Sequence, residues 1–243
     1  MKRVIFLVAA FIISGGILVA QEAITGSIPN WDNGSGSVFT GMITPTIVGT
    51  IDDKGALEII LKPDFLSEVK QQMEAENADE SNKWKSSMMT LEKAYTCNGG
   101  TVEVVNGDQH FTSLSTMGFF ILGSMEKQKR YGDMMPASSL EFVTAFRKLG
   151  SYIFKEGYSL DWYYVDEAGS VKGTCIVNSG TLSGEMYERT AEYDLDFKKG
   201  WNLVKYEVQK VFADKDGKTY IEKDHYSTIS EMPPGVEFVF VPE

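Results

Sequence analysis

The sequence predicts a mainly β protein in which antiparallel strands form a sandwich-like structure with one short helical insertion. From residue 97 onward, apolar and polar residues alternate in short runs that end at turns rich in Gly, Asn and Asp. That pattern is typical of half-buried antiparallel strands. The chain also contains 14 Phe, 11 Tyr and 4 Trp, and this aromatic composition suits a core between packed sheets.

The first 20 residues have the layout of a secretory signal peptide. Lys2 and Arg3 precede the apolar run 4–13, and a second apolar run ends at the small residue Ala20. We predict cleavage after Ala20 and export of the mature chain to the periplasm, the cell surface or the extracellular space. The alternative interpretation is an uncleaved membrane anchor. No later segment resembles a membrane span.

The chain is acidic, with 23 Lys and Arg against 34 Asp and Glu and a formal net charge of −11. No basic stripe stands out against this background. Because an acidic surface repels phosphate, nucleic acid and anionic membrane surfaces are not expected as partners. The simplest interpretation is that the charge keeps an exported protein soluble.

Residues 21–62 form the first predicted region, a set of short strands with turns between them. Its sequence begins with Ile24–Ile28 (ITGSI) and contains Gly49–Gly55 (GTIDDKG), in which DDKG is a hairpin turn before another strand. These two elements resemble the start of the transthyretin-like domains of carboxypeptidase regulatory regions. The resemblance covers residues 24–62 and implies β-sandwich strands, which are expected to complete the later sheets or to form a small lobe against them.

Residues 63–96 are predicted to be a helical insertion. Pro63 and Asp64 supply a turn and a helix N-cap, and the following apolar residues have helical spacing. After a polar break, apolar residues at i, i+4, i+7 and i+11 predict a second helix, with one face formed by Trp84, Met88, Leu91 and Tyr95. We expect this helical hairpin to pack on a sheet. The alternative is an aromatic and methionine face that binds a partner.

Residues 97–243 are predicted to be a C-terminal antiparallel β domain. The runs 159–165 and 170–177 flank the turn DEAG and have the pattern of a hairpin. Alternating runs separated by the turns KKG and DKDG predict a three-stranded meander, at 189–197, 201–213 and 218–227. A last strand is expected at 236–241.

The segment 138–149 has an ambiguous pattern. Ser138 and Glu141 have the spacing of a capping box, and Gly150 suits the end of a helix. The apolar residues also alternate in a way that fits a strand. The capping pattern favours the helix.

The loop of the first meander turn reads Lys198-Lys199-Gly200-Trp201-Asn202. Its length and terminal glycine predict a three-residue hairpin in which Gly200 has positive φ. We expect Trp201 to cover the end of the core and Asn202 to hydrogen-bond the loop backbone. The segment is similar to strand–loop–GWN–strand segments of uncharacterised exported β proteins, a similarity that implies no activity.

The chain has two cysteines, Cys97 and Cys175, and both lie in the predicted exported part. An even pair in an oxidising compartment predicts a disulfide. Two buried free thiols are the alternative. Neither cysteine lies in a local signature of a catalytic thiol.

Glu192, Asp194 and Asp196 occupy alternate positions and should share one face of a strand. Concanavalin-like glycoside hydrolases carry acidic residues in a similar alternation, where unequal pKa values give an acid and a nucleophile. That family has a Glu just beyond the central Asp, whereas this chain continues as Asp196-Phe197-Lys198. A solvated strand face is therefore the preferred interpretation.

Metal and cofactor chemistry are not predicted. The chain has only His110 and His225, so a zinc site of several His is excluded. The run Asp214–Gly217 is similar to the start of a calcium loop, but Glu222 is too close to serve as the bidentate ligand. An ordinary hairpin turn is predicted there. The chain also lacks the nucleophile elbow, the phosphate loop and the dinucleotide fingerprint.

The candidate ligand-binding residues are Trp162, Tyr164 and Trp201. Trp162 and Tyr164 should share one strand face, and exposed rings on a sandwich stack on sugars or line a protein interface. The alternative is that neighbouring layers bury both faces. The sequence thus predicts a protein without catalytic activity that binds a partner, an envelope protein or a glycan, or has a structural role at the cell envelope. A carbohydrate-binding module and a carbohydrate-active β-sandwich hydrolase are the alternatives.

Overall fold

The computed structural model describes residues 23–41, 45–81, 83–148 and 150–243. Within these ranges the chain is mainly β, as predicted, with fourteen strands in one sheet and three helices. The predicted signal peptide lies outside the described residues. In chain order the strands are β1 (Ala23–Ser27), β2 (Gly36–Thr40), β3 (Thr46–Ile51), β4 (Ala56–Ile60), β5 (Gly100–Val105), β6 (Phe111–Ser113), β7 (Phe120–Ser124), β8 (Lys129–Ala137), β9 (Gly157–Val165), β10 (Gly169–Gly180), β11 (Met186–Phe197), β12 (Gly200–Ala213), β13 (Thr219–Ile229) and β14 (Glu237–Pro242).

The N-terminal half of the sheet has the strand order β1-β4-β3-β2-β7-β8, and β14 pairs with β8 as well. The predicted hairpin turn at 52–55 is confirmed, because one carboxylate oxygen of Asp52 accepts hydrogen bonds from the backbone N–H groups of Lys54 and Ala56, both at 2.8 Å. These strands join the rest of the sheet through β2 and β7. They therefore complete the later sheet, one of the two arrangements that the sequence left open.

The C-terminal half has the order β6-β9-β12-β13-β11-β10-β5. Its two outer strands, β5 and β6, are consecutive in the chain, so this half is strongly curled. The end of β9 and the start of β10 also lie close together. Val165 pairs with Gly200 at the start of β12, and Gly169 pairs with Phe197 at the end of β11. The result is an open, barrel-like half with an inner face and an outer face.

Two predicted strand pairings are wrong. β9 and β10 are joined by residues 166–168 but do not pair, because β12, β13 and β11 lie between them. The predicted meander is also interrupted: β13 lies between β11 and β12 and runs parallel to β11, with Tyr193 opposite Tyr226. The β12–β13 hairpin is confirmed. The alternation of apolar and polar residues identifies a strand and its two faces but does not identify the strand that pairs with it. In a curled sheet, a short link can join two strands that are not adjacent.

The loop at 198–200 joins β11 to β12, which do not pair with each other, so the predicted hairpin does not form there. Gly200 has a φ of 91°, so the expectation of positive φ is confirmed. The side chain of Asn202 accepts from Lys198 N at 2.8 Å and donates to Lys198 O and Gly200 O at 2.7 and 2.9 Å. These three bonds fix the loop as it passes over the end of β13.

The three helices are α1 (Phe65–Ala78), α2 (Leu91–Ala94) and α3 (Leu140–Arg147). The first predicted helix is confirmed, and so is the helix favoured within 138–149, although its N-cap is Ser139 rather than Ser138. The second predicted helix is wrong, because residues 83–89 are not helical. Thr90 instead caps the short α2 by accepting from Lys93 N, since Thr and Ser favour caps over helix interiors.

Strands β9 and β12 are covered on both faces, which makes the fold sandwich-like. On one face Trp162 and Leu203 pack in a core with the N-terminal strands and α1. On the inner face of the curled half, Val165 and Val204 pack with Leu91 and other residues of a second core. A third, smaller core lies between α3 and the strands β8, β12 and β14.

Cys97 and Cys175 are joined by a disulfide across a sequence separation of 78 residues, as predicted. The bond connects the segment after α2 to β10 and so fastens this segment to the curled half. In the described part of the chain, no helix combines the length and the hydropathy that a membrane span requires.

Candidate functional site

Two of the three predicted ligand-binding residues, Tyr164 and Trp201, hold the chain just before α1 against the sheet. Trp162 is only 2% exposed. The Tyr164 hydroxyl donates to Pro63 O at 2.6 Å, and the Trp201 indole N–H donates to Lys62 O at 2.9 Å. The exposed row of rings that a carbohydrate-binding module would need is therefore not present, because the N-terminal strands and α1 cover this face. The expectation that Trp201 covers an end of the core is confirmed by its packing against that core.

The three carboxylates on β11 form a solvated face, as preferred from the sequence. Lys172 Nζ contacts Asp194 at 2.5 Å and Asp196 at 2.6 Å, and Lys223 contacts Glu192 at 2.9 Å. The hydrogen bond and charge of Lys172 lower the pKa of Asp194. A general acid of a glycosidase needs a raised pKa, so the lowered pKa of Asp194 does not suit that role.

Asp214 lies in an ordinary turn, as predicted. One of its oxygens accepts from Asp216 N and Lys218 N, and the other accepts from the hydroxyls of Ser183 and Tyr220. Because Ser183 lies between β10 and β11, Asp214 also connects the tips of two hairpins, which the sequence did not indicate. Among the described residues, no three His, Cys, Asp or Glu side chains are grouped to hold a metal ion.

An open groove with a volume of about 620 Å³ lies between α1, the irregular segment 86–89 and the residues that follow β6. We call it the methionine groove. Its polar lining includes Ser113 and Ser115. Its apolar lining is formed mainly by Phe65, Val69, Met73, Met88, Met89 and Met117.

Local sequence explains two walls of the methionine groove. On α1, Phe65, Val69 and Met73 are spaced four residues apart and so lie along one side of the helix. Opposite them, Met88 and Met89 belong to the irregular segment before α2. The predicted aromatic and methionine face thus contributes Met88 to a groove, but as part of an irregular segment rather than a helix.

The third wall of the groove is an edge of the sheet. Leu114 N donates to Trp162 O at 2.8 Å, toward β9, whereas Phe111 N donates to Met89 O at 3.1 Å on the opposite side. Backbone groups of successive strand residues alternate in direction. The backbone of Ser113, two residues after Phe111, is therefore directed to the side of the groove. Apart from the bond between Phe111 and Met89, this side of β6 borders the groove.

Asp161 of β9 hydrogen-bonds the residues that form this wall of the groove. One of its carboxylate oxygens accepts from the hydroxyls of Ser113 and Ser115, and the other accepts from Ser115 N at 3.2 Å and Trp162 N at 2.8 Å. Burial raises the pKa of the Asp161 carboxyl, and these hydrogen bonds offset part of that effect. Both oxygens are occupied within the chain, so Asp161 positions the groove wall.

The inner face of the curled half is filled by aromatic rings. Tyr226 lies between Tyr193 and Tyr206, with ring centroids 5.4 and 4.7 Å away. Beneath them the fully buried Asp224 accepts from Arg189 at 2.6 Å and from the Tyr206 hydroxyl at 3.1 Å. Burial raises the pKa values of Tyr206 and Tyr226 far above the usual phenol value. These groups are neutral, packed side chains.

Comparisons of the chain with family models, with curated proteins and with solved structures give no match. The resemblance of residues 24–62 to transthyretin-like domains therefore stays a prediction. We infer the function from the geometry of the molecule itself, in which the methionine groove has apolar walls beside β6.

Proposed function

We propose that this protein is an exported binding protein without catalytic activity, and that its methionine groove holds an extended apolar segment of a partner protein at the cell envelope. The observation that supports the proposal is the combination of methionine-rich walls with an adjacent sheet edge at β6. Its volume of about 620 Å³ falls within the range typical of ligand sites.

Methionine suits this role because its flexible, polarisable side chain adapts to different apolar surfaces. An extended peptide that pairs with the edge of β6 gains backbone hydrogen bonds, and every second side chain of that peptide points to one side. Those side chains would contact Met73, Met88 and Met117 in the groove. Affinity then comes from the backbone, and selectivity comes from the size of the apolar side chains.

The charge at the groove favours a partner with basic residues beside its apolar segment. Glu68 and Glu76 line the α1 side, and the whole chain carries a net charge of −11. Lys62 contacts Glu68 at 2.8 Å. The negative net charge of the chain attracts Lys and Arg and speeds the encounter at low salt.

The test uses the purified mature chain and a fluorescent peptide of about eight residues, a typical strand length. The peptide alternates Leu or Val with Thr and ends in Lys. We expect saturable binding that Met73→Glu and Met88→Glu each weaken by about tenfold or more, because a charge in an apolar site is strongly unfavourable. Met125→Glu is the matched control, since Met125 is exposed and does not line the groove.

A second peptide has N-methyl groups at alternate backbone positions and therefore cannot donate to a strand edge. The proposal predicts that this peptide binds much more weakly than the unmodified one. Equal affinity of the two peptides would contradict strand addition at β6. No binding of either peptide, or equal binding by Met73→Glu and wild type, would contradict the groove as the binding site.

A further inference from the structure

A second cavity, of about 500 Å³, lies beside the turn Thr116–Phe119, which also borders the methionine groove. We call it the arginine cavity. Its apolar lining includes Phe119, Ile121 and Phe146, and its charged lining consists of Arg130, Asp133 and Arg147. The charged residues come from β8 and from the last turn of α3.

A β-bulge brings the first two charged residues together. On a regular strand, residues three apart point to opposite faces. Here Leu122 pairs with Gly132 and the next residue, Gly123, pairs with Arg130, so β8 has one extra residue. This shift lets Arg130 Nη2 donate to Asp133 at 2.5 Å. Gly132 permits the bulge, because a Cβ at that position would lie 2.3 Å from Val241 O.

Arg147 completes the charged group from α3. Its Nε donates to the other oxygen of Asp133 at 3.0 Å, and its Nη1 donates to Pro242 O at 2.6 Å. Asp133 is 8% exposed, whereas the side chain of Arg130 is 42% exposed. The carboxylate is thus enclosed, and one guanidinium remains accessible.

The charges of this group do not balance. Within the cavity lining, two guanidiniums face a single carboxylate, although the protein as a whole has a net charge of −11. Each guanidinium has five N–H donors. Among the described residues, one donor of Arg130 and two of Arg147 have hydrogen-bond partners. The site therefore has both charge and donors for one more anion.

We propose that the arginine cavity binds a small aliphatic or aromatic carboxylic acid. The carboxylate would accept hydrogen bonds from Arg130 and Arg147, because guanidinium and carboxylate match in shape and charge. The apolar part would contact Phe119, Ile121 and Phe146. This site shares Thr116 and Met117 with the methionine groove, but its function does not depend on the peptide binding proposed there.

The test measures binding of octanoate, octanol and octylammonium to the full mature chain by calorimetry. Octanoate is expected to bind about tenfold or more tightly than octanol, and octylammonium is expected not to bind. Arg130→Gln should weaken octanoate binding by about tenfold, the loss of one charged hydrogen bond. This variant should fold, since Arg147 still pairs with Asp133.

Asp133→Asn gives the sharpest result, because removing the competing carboxylate should strengthen octanoate binding several-fold. A merely structural role for the three residues would instead weaken binding in both variants. Lys172→Gln, which removes an exposed cation far from the cavity in sequence, and Met73→Glu, which alters the methionine groove, should leave octanoate binding unchanged. Equal binding of octanoate and octanol, no octanoate binding, unchanged binding by Arg130→Gln or weaker binding by Asp133→Asn would overturn the proposal.

Discussion

The two halves of the segment 83–95 differ in their exposure to solvent. Leu91 and Tyr95 are buried and close the inner face of the curled half. Trp84 is 85% exposed, and Met89, which lines the methionine groove, is half exposed. The same apolar spacing runs through both halves, so spacing alone does not determine which residues become covered.

The difference between the two regions is what lies opposite each half. Tyr95 contacts the ring of Tyr193 on the sheet, with 5.3 Å between the two ring centroids. The disulfide at Cys97 fastens the chain nearby. On the other side, Asn77 of α1 hydrogen-bonds the backbone of Ser86, and a groove lies between α1 and residues 86–89. We interpret the closed side as the stable frame and the open side as the binding surface. Apolar surface left open at a groove of this size is typical of interaction sites.

The largest expected effect comes from removing the disulfide. Replacing Cys97 and Cys175 with Ser should lower the free energy of unfolding by about 2–4 kcal/mol, because the bond closes a long loop in the unfolded chain. Denaturant unfolding measures this change. Peptide affinity at the groove, measured where the variant is folded, should change little. A large loss of affinity in the folded variant would show that the two regions are not separable.

The next prediction compares one residue from each half of the segment. Leu91→Ala should cost about 2–5 kcal/mol of stability, as expected for a fully buried leucine. Met89→Ala should change stability by less than about 0.5 kcal/mol. Both values come from the same denaturant titration. Similar costs for the two variants would contradict the contrast between the closed and open sides.

Asp161 lies where the closed and open sides meet. Its replacement is expected to have an intermediate effect on the free energy of unfolding. Asp161→Ala should destabilise the protein by about 1–3 kcal/mol, because Ser115 N and Trp162 N lose their acceptor. Asp161→Asn keeps an acceptor and should cost much less. The alanine variant should also loosen the groove wall and weaken peptide binding. Equal stability losses in the two variants would argue against this account of the carboxylate.

The pH dependence of Asp161 sharpens that test. Burial raises the pKa of this carboxyl above its ordinary value of 3.8 in the folded chain. Its stabilising contribution is therefore fully present below 3.8 and is lost as the pH rises through the raised folded value. The stability of Asp161→Asn relative to wild type should thus increase with pH across this window. A difference that stays constant, or that falls with pH, would contradict the raised pKa.

The smallest effect is expected on the solvated face, outside both regions. Lys172→Ala should change stability by less than about 1 kcal/mol, because its ion pairs with Asp194 and Asp196 are exposed and screened by water. The pKa of Asp194, which Lys172 lowers, should rise toward its ordinary value. Carboxyl titration by NMR measures this rise. A larger loss of stability would assign this face a structural role that its geometry does not suggest.

Much of the local structure could be predicted from sequence, since it depends on neighbours in the chain. The turn at 52–55, the helix at 140–147 and the loop bonds of Asn202 all follow from short-range chemistry. Strand partners could not be predicted in the same way. β13 lies between β11 and β12, and the order of strands is a property of the whole sheet that no local pattern determines.

The candidate sites were less visible in the sequence. The methionine pattern was present, and Met88 was already part of a suspected partner-binding face, but the groove also needs the edge of β6. The arginine cavity depends on one extra residue in β8, which changes the direction of Arg130. Trp162 was a reasonable candidate as an aromatic residue on a strand. It is buried because a second layer covers its face, and that layer comes from a distant part of the chain.

The most direct test of the groove is amide hydrogen exchange of the mature chain with and without the alternating Leu/Thr peptide. Strand addition predicts slower exchange at residues 111–115, above all at Ser113, and at the facing residues 86–89. The Met73→Glu variant should show no such slowing at the same peptide concentration. Slower exchange at another sheet edge, such as β1 or β5, with residues 111–115 unchanged, would contradict the methionine groove as the binding site.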